Sequence, residues 1–355
     1  MIAALDATPL TVPTGGVTRY TKELALALAA NYPGDEYWLL SDQKFAMPAC
    51  PGNLRKGDGP RTSAERRWWL WGINREMMRR KVEVFHGTDF SVPYIRRRPS
   101  VMTVHDLSPW LTMESSTEDN VRWQPHSFRV RTRVPILLQA RIPTMVVTPS
   151  EAVRRAVIAR FRLDSERVVA VPLAASNHFR PVEVAPPERP YFLFVGTLEP
   201  RKNIARLIEA WREVRKSWTV DLVLAGRVRE DFQGPSPEPG LRVLGAVPEE
   251  DLPALYCGAV AVVYPSLYEG FGLPVLEAMQ CGATVITSRD PAIMEVSEGA
   301  AIHVDAKDVR ALADAMLARP SRREESIKRA ALFSWSTTAR RTREVYDAAL
   351  ARSAR

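Results

Sequence analysis

Short, unbroken apolar runs alternate with helical patterns along nearly the whole chain, and no other feature restricts the fold as much. In the first half the runs are 2–5, 37–40, 82–85, 101–104, 145–148 and 168–171, with helical periodicity clearest at 19–30 and 151–161. In the second half they are 191–195, 221–225, 242–244, 259–264, 284–287 and 301–304, with helices expected at 204–218, 249–257, 273–280 and 309–318. Val/Ile/Leu runs without polar alternation are strands buried on both faces, which belong to parallel sheets covered by helices. Strand and helix alternating twice over predict two α/β domains.

The boundary is legible. Residues 181–190 carry four prolines, Pro181, Pro186, Pro187 and Pro190, which disfavour helix and central strand alike. The expected division is 1–182 and 183–335, with 336–355 as a closing helix. A second proline-rich loop, 234–240, interrupts the later domain. At 355 residues the chain is too long for one ordinary core, and 46% apolar with 25% charged residues is a soluble composition. No apolar run nears the ~20 residues of a membrane-spanning helix. The start, Met1 to Asp6, has no basic leader before its apolar run, so a cytoplasmic protein is expected.

Cysteine and histidine exclude other chemistry. Cys50, Cys257 and Cys281 form no C-x-x-C pair, and Cys257 and Cys281 are expected as buried thiols. His86, His105, His126, His178 and His303 are scattered singly, without the spacing of metal ligands on a helix face. No protein-bound metal is expected. Through Val182 there are 26 Lys/Arg against 17 Asp/Glu, while the remainder is nearly balanced at 23 against 24. The positive excess therefore lies in the first half, which points to an anionic surface or substrate there.

Ligands of parallel α/β sheets bind beyond the carboxyl ends of the strands. After the first strand, Thr14-Gly15-Gly16-Val17 leads into a helix, where glycines admit close backbone approach and the helix end favours an anion. Paired glycines also make ordinary turns. No G-x-G-x-x-G follows this strand or that at 191–195, which counts against a nicotinamide or flavin dehydrogenase. His105-Asp106 follows the run 101–104; the pair either faces a ligand or serves as a satisfied interior histidine and a cap. Arg201 and Lys202 precede a helix whose dipole they oppose, an arrangement that becomes favourable once a phosphate sits between them. The richest stretch is PSLYEGFGLPVLEAM, residues 265–279. Glu269 lies there in a glycine-rich loop and Glu277 eight residues on, among apolar neighbours, where a lone carboxylate needs hydrogen-bond partners such as a sugar diol.

These residues resemble the retaining glycosyltransferases of the group-1, or family 4, type, whose E-x7-E motif Glu269 and Glu277 match. The likeness extends over FVGTLEPRKN (194–203), LVLAGR (222–227), VLGAVPEEDLPALY (243–256) and VVYPSLYEGFGLPVLEAMQCGATVITS (262–288). GGVTRYTKEL (15–24), VHD (104–106), VTPSEAVRRAV (147–157) and FSWSTTARRTREVYDAAL (333–350) carry it through the rest of the chain. It implies the GT-B fold, two Rossmann-like domains facing across a cleft, acceptor side first and donor side second. It also implies that Arg201 and Lys202 hold the donor diphosphate and that Glu277 holds the ribose diol. Glu269 would touch the transferred sugar, with Gly270, Phe271, Gly272 and Leu273 lending backbone amides. His105 would touch the sugar from the other domain, and Gly15 and Gly16 would lie near the phosphates. Catalysis would be metal-independent, with cations stabilising the leaving diphosphate rather than a covalent intermediate on Glu269. One departure is Pro172-Leu-Ala-Ala175, where many relatives have Pro-Asn-Gly.

The acceptor is the least legible part. Segment 66–81 mixes Trp68, Trp69 and Trp71 with Arg66, Arg67, Arg75, Arg79, Arg80 and Lys81. It is either a surface for anionic lipid, extended by Arg96–Arg98, or a helix that buries its tryptophans under a solvated basic face. Nucleic acid is not expected, because no recognition motif accompanies the charge. The opening ALDATPL with GGVTRY is similar to bacterial mannosyl- and rhamnosyltransferases of cell-surface polysaccharide assembly, so the donor expected first is GDP-mannose or a nucleoside-diphosphate rhamnose, with UDP-glucose the alternative. The acceptor expected is a saccharide or lipid-linked saccharide. Alternatives are a non-catalytic nucleotide-sugar-binding subunit and a GT-B epimerase or phosphorylase.

Overall fold

The computed structural model describes residues 1–12, 15–111, 125–230, 232–319 and 321–353, with residues 125–127 by backbone alone. Thr14 and the side chain of His126 therefore lie outside the described residues. Of these residues, those up to Leu173 and those from 334 on form one compact unit; 174–333 form the other.

In the first unit the order is β1 (Ile2–Asp6), α1 (Gly16–Asn31), β2 (Glu36–Leu40), β3 (Leu54–Lys56), α2 (Ile73–Arg79), β4 (Val84–Gly87), β5 (Ser100–Thr103), α3 (Pro125–Gln139), β6 (Met145–Thr148), α4 (Glu151–Phe161) and β7 (Val168–Ala170). The second unit holds β8 (Tyr191–Val195), α5 (Ile204–Arg215), β9 (Asp221–Ala225), β10 (Leu241–Gly245), α6 (Leu252–Gly258), β11 (Ala261–Tyr264), α7 (Leu273–Gln280), β12 (Val285–Ser288), α8 (Pro291–Ser297), β13 (Ile302–Val304), α9 (Val309–Leu317) and α10 (Arg323–Ala330). The last helix, α11 (Trp335–Ser353), belongs to the first unit. Among the described residues the sheets run β3-β2-β1-β4-β5-β6-β7 and β10-β9-β8-β11-β12-β13. Every pairing is parallel. The strand order reverses beside β1 and beside β8, so the positions for ligands are the strand ends there.

The strands read from apolar runs are present with ends shifted by one or two residues. β3 carried no such signal, because only Leu54 of its three residues is buried. The division falls before Ala174, not at Val182. Segment 174–182 is bound to the second unit: Gln280 Nε2 donates to Ser176 O (3.1 Å) and Phe179 O (2.7 Å), and Val182 N donates to Cys257 Sγ. Cys281 is buried as expected, but Cys257 is only half-buried.

The segment 66–81 does not form one aromatic and basic outer face. Trp68 is buried and Trp69 packs on the same cluster, with Trp38, Ile73, Met77 and Phe85; only Trp71, 40% exposed, reaches the surface. Three of the arginines meet carboxylates, Arg79 with Glu65 at 3.0 Å, Arg80 with Glu76 at 3.2 Å and Asp58 at 2.7 Å, and Arg75 with Glu65 at 3.6 Å, while Arg66, Arg67 and Lys81 are exposed. Much of the local charge is thus spent inside the unit. No described helix is long and apolar enough to cross a membrane.

A buried polar chain ties α11 to this unit. His86 on β4 is fully buried, with Nδ1 2.8 Å from Tyr346 OH and Nε2 2.7 Å from Thr103 Oγ1; Tyr20 OH reaches the same Thr103 hydroxyl at 2.9 Å. Burial, and secondarily His105, pushes the His86 imidazole down from 6.5 to about 3. The unfolded ring therefore takes a proton that the folded one refuses. The stabilisation is complete above pH 6.5 and drains away as pH falls toward 3, by up to about 1.4 kcal/mol per pH unit. Tyr346→Phe, which strips Nδ1 of its partner, should cost about 1–3 kcal/mol in urea unfolding at pH 7. A loss below about 0.5 kcal/mol would show that the chain does not anchor α11.

Candidate active site

The second unit gathers its charged residues at the carboxyl ends of β8 and β11. After β8 the chain turns at Gly196 against the next strand end. A side chain on Gly226, whose φ is +154°, would sit 1.9 Å from Gly196 O, so the two loops approach backbone to backbone only because residue 226 is glycine. Pro200–Lys202 then make a single 3₁₀ turn ended by Asn203 in the left-handed region (φ +62°). Asn203 Nδ2 donates to Pro265 O at 3.2 Å and Ala306 O at 2.7 Å, tying together the loops that follow β8, β11 and β13.

That tie sets Arg201 and Lys202 against Glu269. Arg201 Nη1 donates to Glu269 Oε2 at 3.0 Å and to Tyr268 O at 2.7 Å. Lys202 Nζ lies 2.5 Å from Glu269 Oε1 and 2.5 Å from Tyr264 OH. Ser266 Oγ also donates to Oε1 at 2.5 Å, and the Glu269 amide donates to Asp290 Oδ2 at 3.2 Å. Asp290 in turn caps α8 through the amides of Ala292 and Ile293. On the outer side, Glu199 accepts from Arg201 at 2.7 Å and Arg229 at 2.9 Å. Arg201, Lys202 and Arg229 thus meet Glu269 and Glu199, with Asp290 beside them.

The electrostatics follow from burial. Glu269 and Lys202 are each only 7% exposed. Burial alone pushes the Glu269 carboxyl up, but Arg201 and then Lys202 outweigh it and hold the group at about 2. Burial lowers the Lys202 ammonium, and Glu269 restores part of the loss. Burial, then the Glu269 charge, raises the Tyr264 hydroxyl well above its ordinary value, so it stays a neutral donor.

The loop continues into α7 through Gly270, the buried Phe271 and Gly272 (φ +95°), with Leu273 the first helical residue. Glu277 is 1% exposed and accepts from Tyr256 OH at 3.1 Å. The protein itself therefore supplies a partner that the sequence left to a ligand. Tyr256, Tyr264, Ser266, Asp290, Glu199 and Arg229 were not read as site residues. Strand-end position was the only signal for Tyr264 and Ser266; Glu199 stands two residues before Arg201, and Arg229, Asp290 and Tyr256 meet partners more than twenty residues away.

The remaining candidates lie in the first unit. Gly15 (φ +140°) precedes α1 and Gly16 opens it. His105 follows β5, half-buried, with Nε2 2.7 Å from Thr88 O and its ring edge-on to Tyr20 at 4.9 Å. Asp106 accepts from the amide and hydroxyl of Ser108, so it shapes the loop. Pro172 O, in the departing Pro-Leu-Ala-Ala stretch, accepts from Thr338 of α11 at 2.7 Å. Among the described residues no three His, Cys, Asp or Glu side chains cluster to hold a metal.

Comparison with known proteins agrees with this geometry. A model described as glycosyl transferases group 1 matches residues 189–319, and a model described as Glycosyltransferase Family 4 matches residues 14–175. O-antigen chain mannosyltransferase B of Escherichia coli is 30% identical over 95% of this chain and 97% of its own. The chain belongs to the group 1, family 4 glycosyltransferases. Another relative of the transferase, the MMP alpha-(1->4)-mannosyltransferase of Mycolicibacterium hassiacum, is 29% identical over 72% of this chain and 67% of its own. Among solved structures, sucrose-phosphate synthase from Thermosynechococcus elongatus superposes with a TM-score of 0.73 at 20% identity over 99% of both chains. HepE from Anabaena, in complex with UDP and glucose, gives 0.69 at 16% identity over 98% of this chain and 99% of its own. The two parallel sheets of the transferase are those of the GT-B fold.

The ion cluster carries its own test. Lys202→Met leaves a buried carboxylate with one cation fewer and should lower stability by about 3–5 kcal/mol at pH 7. The Glu269 share of stability is present above pH 4.5 and lost as pH falls toward 2, so the variant should also unfold at higher pH than the parent. Urea midpoints within about 0.5 kcal/mol of each other would mean that Lys202 does not hold Glu269 charged.

Proposed function

We propose that this glycosyltransferase moves a hexose, mannose or rhamnose in first place, from a nucleoside-diphosphate sugar to a saccharide or lipid-linked acceptor. The transfer proceeds with retention at the anomeric carbon and without a metal, in the cytoplasm. The observation that carries the reading is the Arg201–Lys202–Glu269 cluster at the carboxyl ends of β8 and β11. The names of the relatives, mannosyltransferases, support the choice of sugar, and the UDP and glucose bound by HepE support the class of donor.

In this reading the developing charge of the leaving diphosphate meets Arg201, Lys202 and the amides of Gly270, Phe271, Gly272 and Leu273. These groups are already oriented, so little reorganisation accompanies bond breaking. Glu269 stays ionised beside them, positions the sugar and favours positive charge at the anomeric carbon. Glu277 shares its carboxylate between Tyr256 and the ribose diol. Thermal shifts with UDP, GDP, dTDP and their sugar conjugates, without added metal, test this. A nucleotide at ~100 times its dissociation constant should stabilise by roughly 2.7 kcal/mol. Glu277→Gln should weaken that nucleotide about tenfold by calorimetry, as expected for a lost charged hydrogen bond. No shift with any nucleotide would defeat the reading, and undiminished affinity would remove Glu277 from it.

Contact of the first unit with anionic lipid belongs to the same proposal. Its support is α3, where Phe128 (63% exposed) and Ile136 (68%) stand eight residues apart on one face beside exposed Arg129 and Arg131. Vesicles with about 30 mol% anionic lipid should sediment the protein at low salt. Replacing both apolar residues by serine should abolish this, and equal sedimentation of the variant would exclude α3 as the contact.

A further inference from the structure

The first unit has a cavity of about 440 Å³ at the carboxyl ends of β2 and β3 that the donor chemistry does not use. One wall is the loop after β2, with Ser41, Asp42, Gln43, Lys44 and Phe45; the other is the turn at 57–60, with Arg66 at the rim. We propose that this cavity is a subsite for a sugar residue of the acceptor other than the one that reacts. The inference rests on the glycosyl-transfer reading above and adds that the acceptor is an oligosaccharide.

Three observations carry it. The walls are built, not incidental. Glu76, fully buried, accepts from the Asp58 amide at 3.1 Å, and Glu65, 2% exposed, accepts from the Arg61 amide at 2.7 Å. Arg79 pairs with both carboxylates. Burying two carboxylates is costly unless each is paired and hydrogen-bonded, and here they hold the backbone of one surface turn. The opposite wall is braced by Lys56, whose Nζ donates to Phe45 O at 2.6 Å and lies 4.2 Å from the Phe45 ring centroid.

The lining is the second observation. Asp42 and Asp58 stand with Lys44, Lys56 and Arg66, beside an amide and a hydroxyl. A polyanion would meet two carboxylates there, and an apolar ligand would strand every polar group. A polyhydroxylated neutral ring offers donors and acceptors to both signs. The volume falls within the usual range of small-ligand sites.

Position supplies the third. All strands of the sheet are parallel, so the cavity opens on the same edge as His105 after β5. In the order β3-β2-β1-β4-β5, three steps separate β2 from β5, roughly 14 Å at about 4.8 Å each. A sugar in the cavity is therefore too far from His105 to be the reacting residue, and a longer acceptor reaches both.

Calorimetry on the full chain, with the nucleotide that shifts its melting, decides the matter. The probes are methyl α-mannoside and three trisaccharides: mannotriose, rhamnotriose and maltotriose. At least one trisaccharide should bind about tenfold tighter than the monosaccharide, the worth of one or two hydrogen bonds. Gln43→Ala and Lys44→Ala should erase that gain. Both side chains are exposed, so unaltered melting temperatures serve as the folding control. No gain with any trisaccharide, or a gain that survives both substitutions, overturns the subsite. If nucleotide binds and the gain is missing, the subsite alone is lost. If no nucleotide binds, the transfer reading falls instead.

Discussion

Glu269 keeps its charge where water scarcely reaches, and the loops of the second unit are arranged around that requirement. A buried carboxylate persists in ionised form only when cations and donors replace its hydration. Here Lys202 and Arg201 come from the turn after β8, Tyr264 and Ser266 from the end of β11, and Asp290 from the end of β12 holds the amide. One ion thus fixes the relation of three strand ends. In the proposed reaction a departing diphosphate would meet these same groups, already oriented.

The first unit applies the same rule to different ends. Its buried imidazole, His86, is kept neutral and joined to Tyr346, which makes the final helix part of this unit although 260 residues separate the two. Glu65 and Glu76 are joined to arginines, which fixes a surface turn. In both units the polar groups inside the molecule connect elements distant in sequence, while apolar packing supplies most of the driving force within each sheet.

Segment 66–81 shows how composition and disposition differ. Three tryptophans and six cations in sixteen residues read as an interface for lipid or as a core helix with a basic face. The tryptophans divide between core and surface, and Arg75, Arg79 and Arg80 are claimed by Glu65, Glu76 and Asp58. An arginine counts toward a surface field only when no internal carboxylate takes it. The exposed apolar pair of α3, Phe128 and Ile136, gave no comparable signal, because exposure is a property of the neighbours and not of the residue.

By itself the sequence determined the parallel α/β architecture, most strand positions and the loop that carries Glu269. These depend on local pattern: a run buried on both faces has no polar alternation, and glycines at 196, 226, 270 and 272 mark strand ends and the start of α7. Arg201, Lys202 and Glu269 stood out as candidates for the same reason, since residues at strand ends are the ones a parallel sheet exposes to ligands, and Glu277, inside α7, stood out as a carboxylate among apolar neighbours. Tertiary structure alone decided that Arg201 and Lys202 converge on Glu269, that Tyr256 satisfies Glu277, and that 174–182 go with the second unit. Each of these is a contact between residues separated by twenty to more than a hundred positions. Hydrogen bonds and ion pairs are set by distance in space, and no periodicity along the chain encodes which distant groups will share one buried charge.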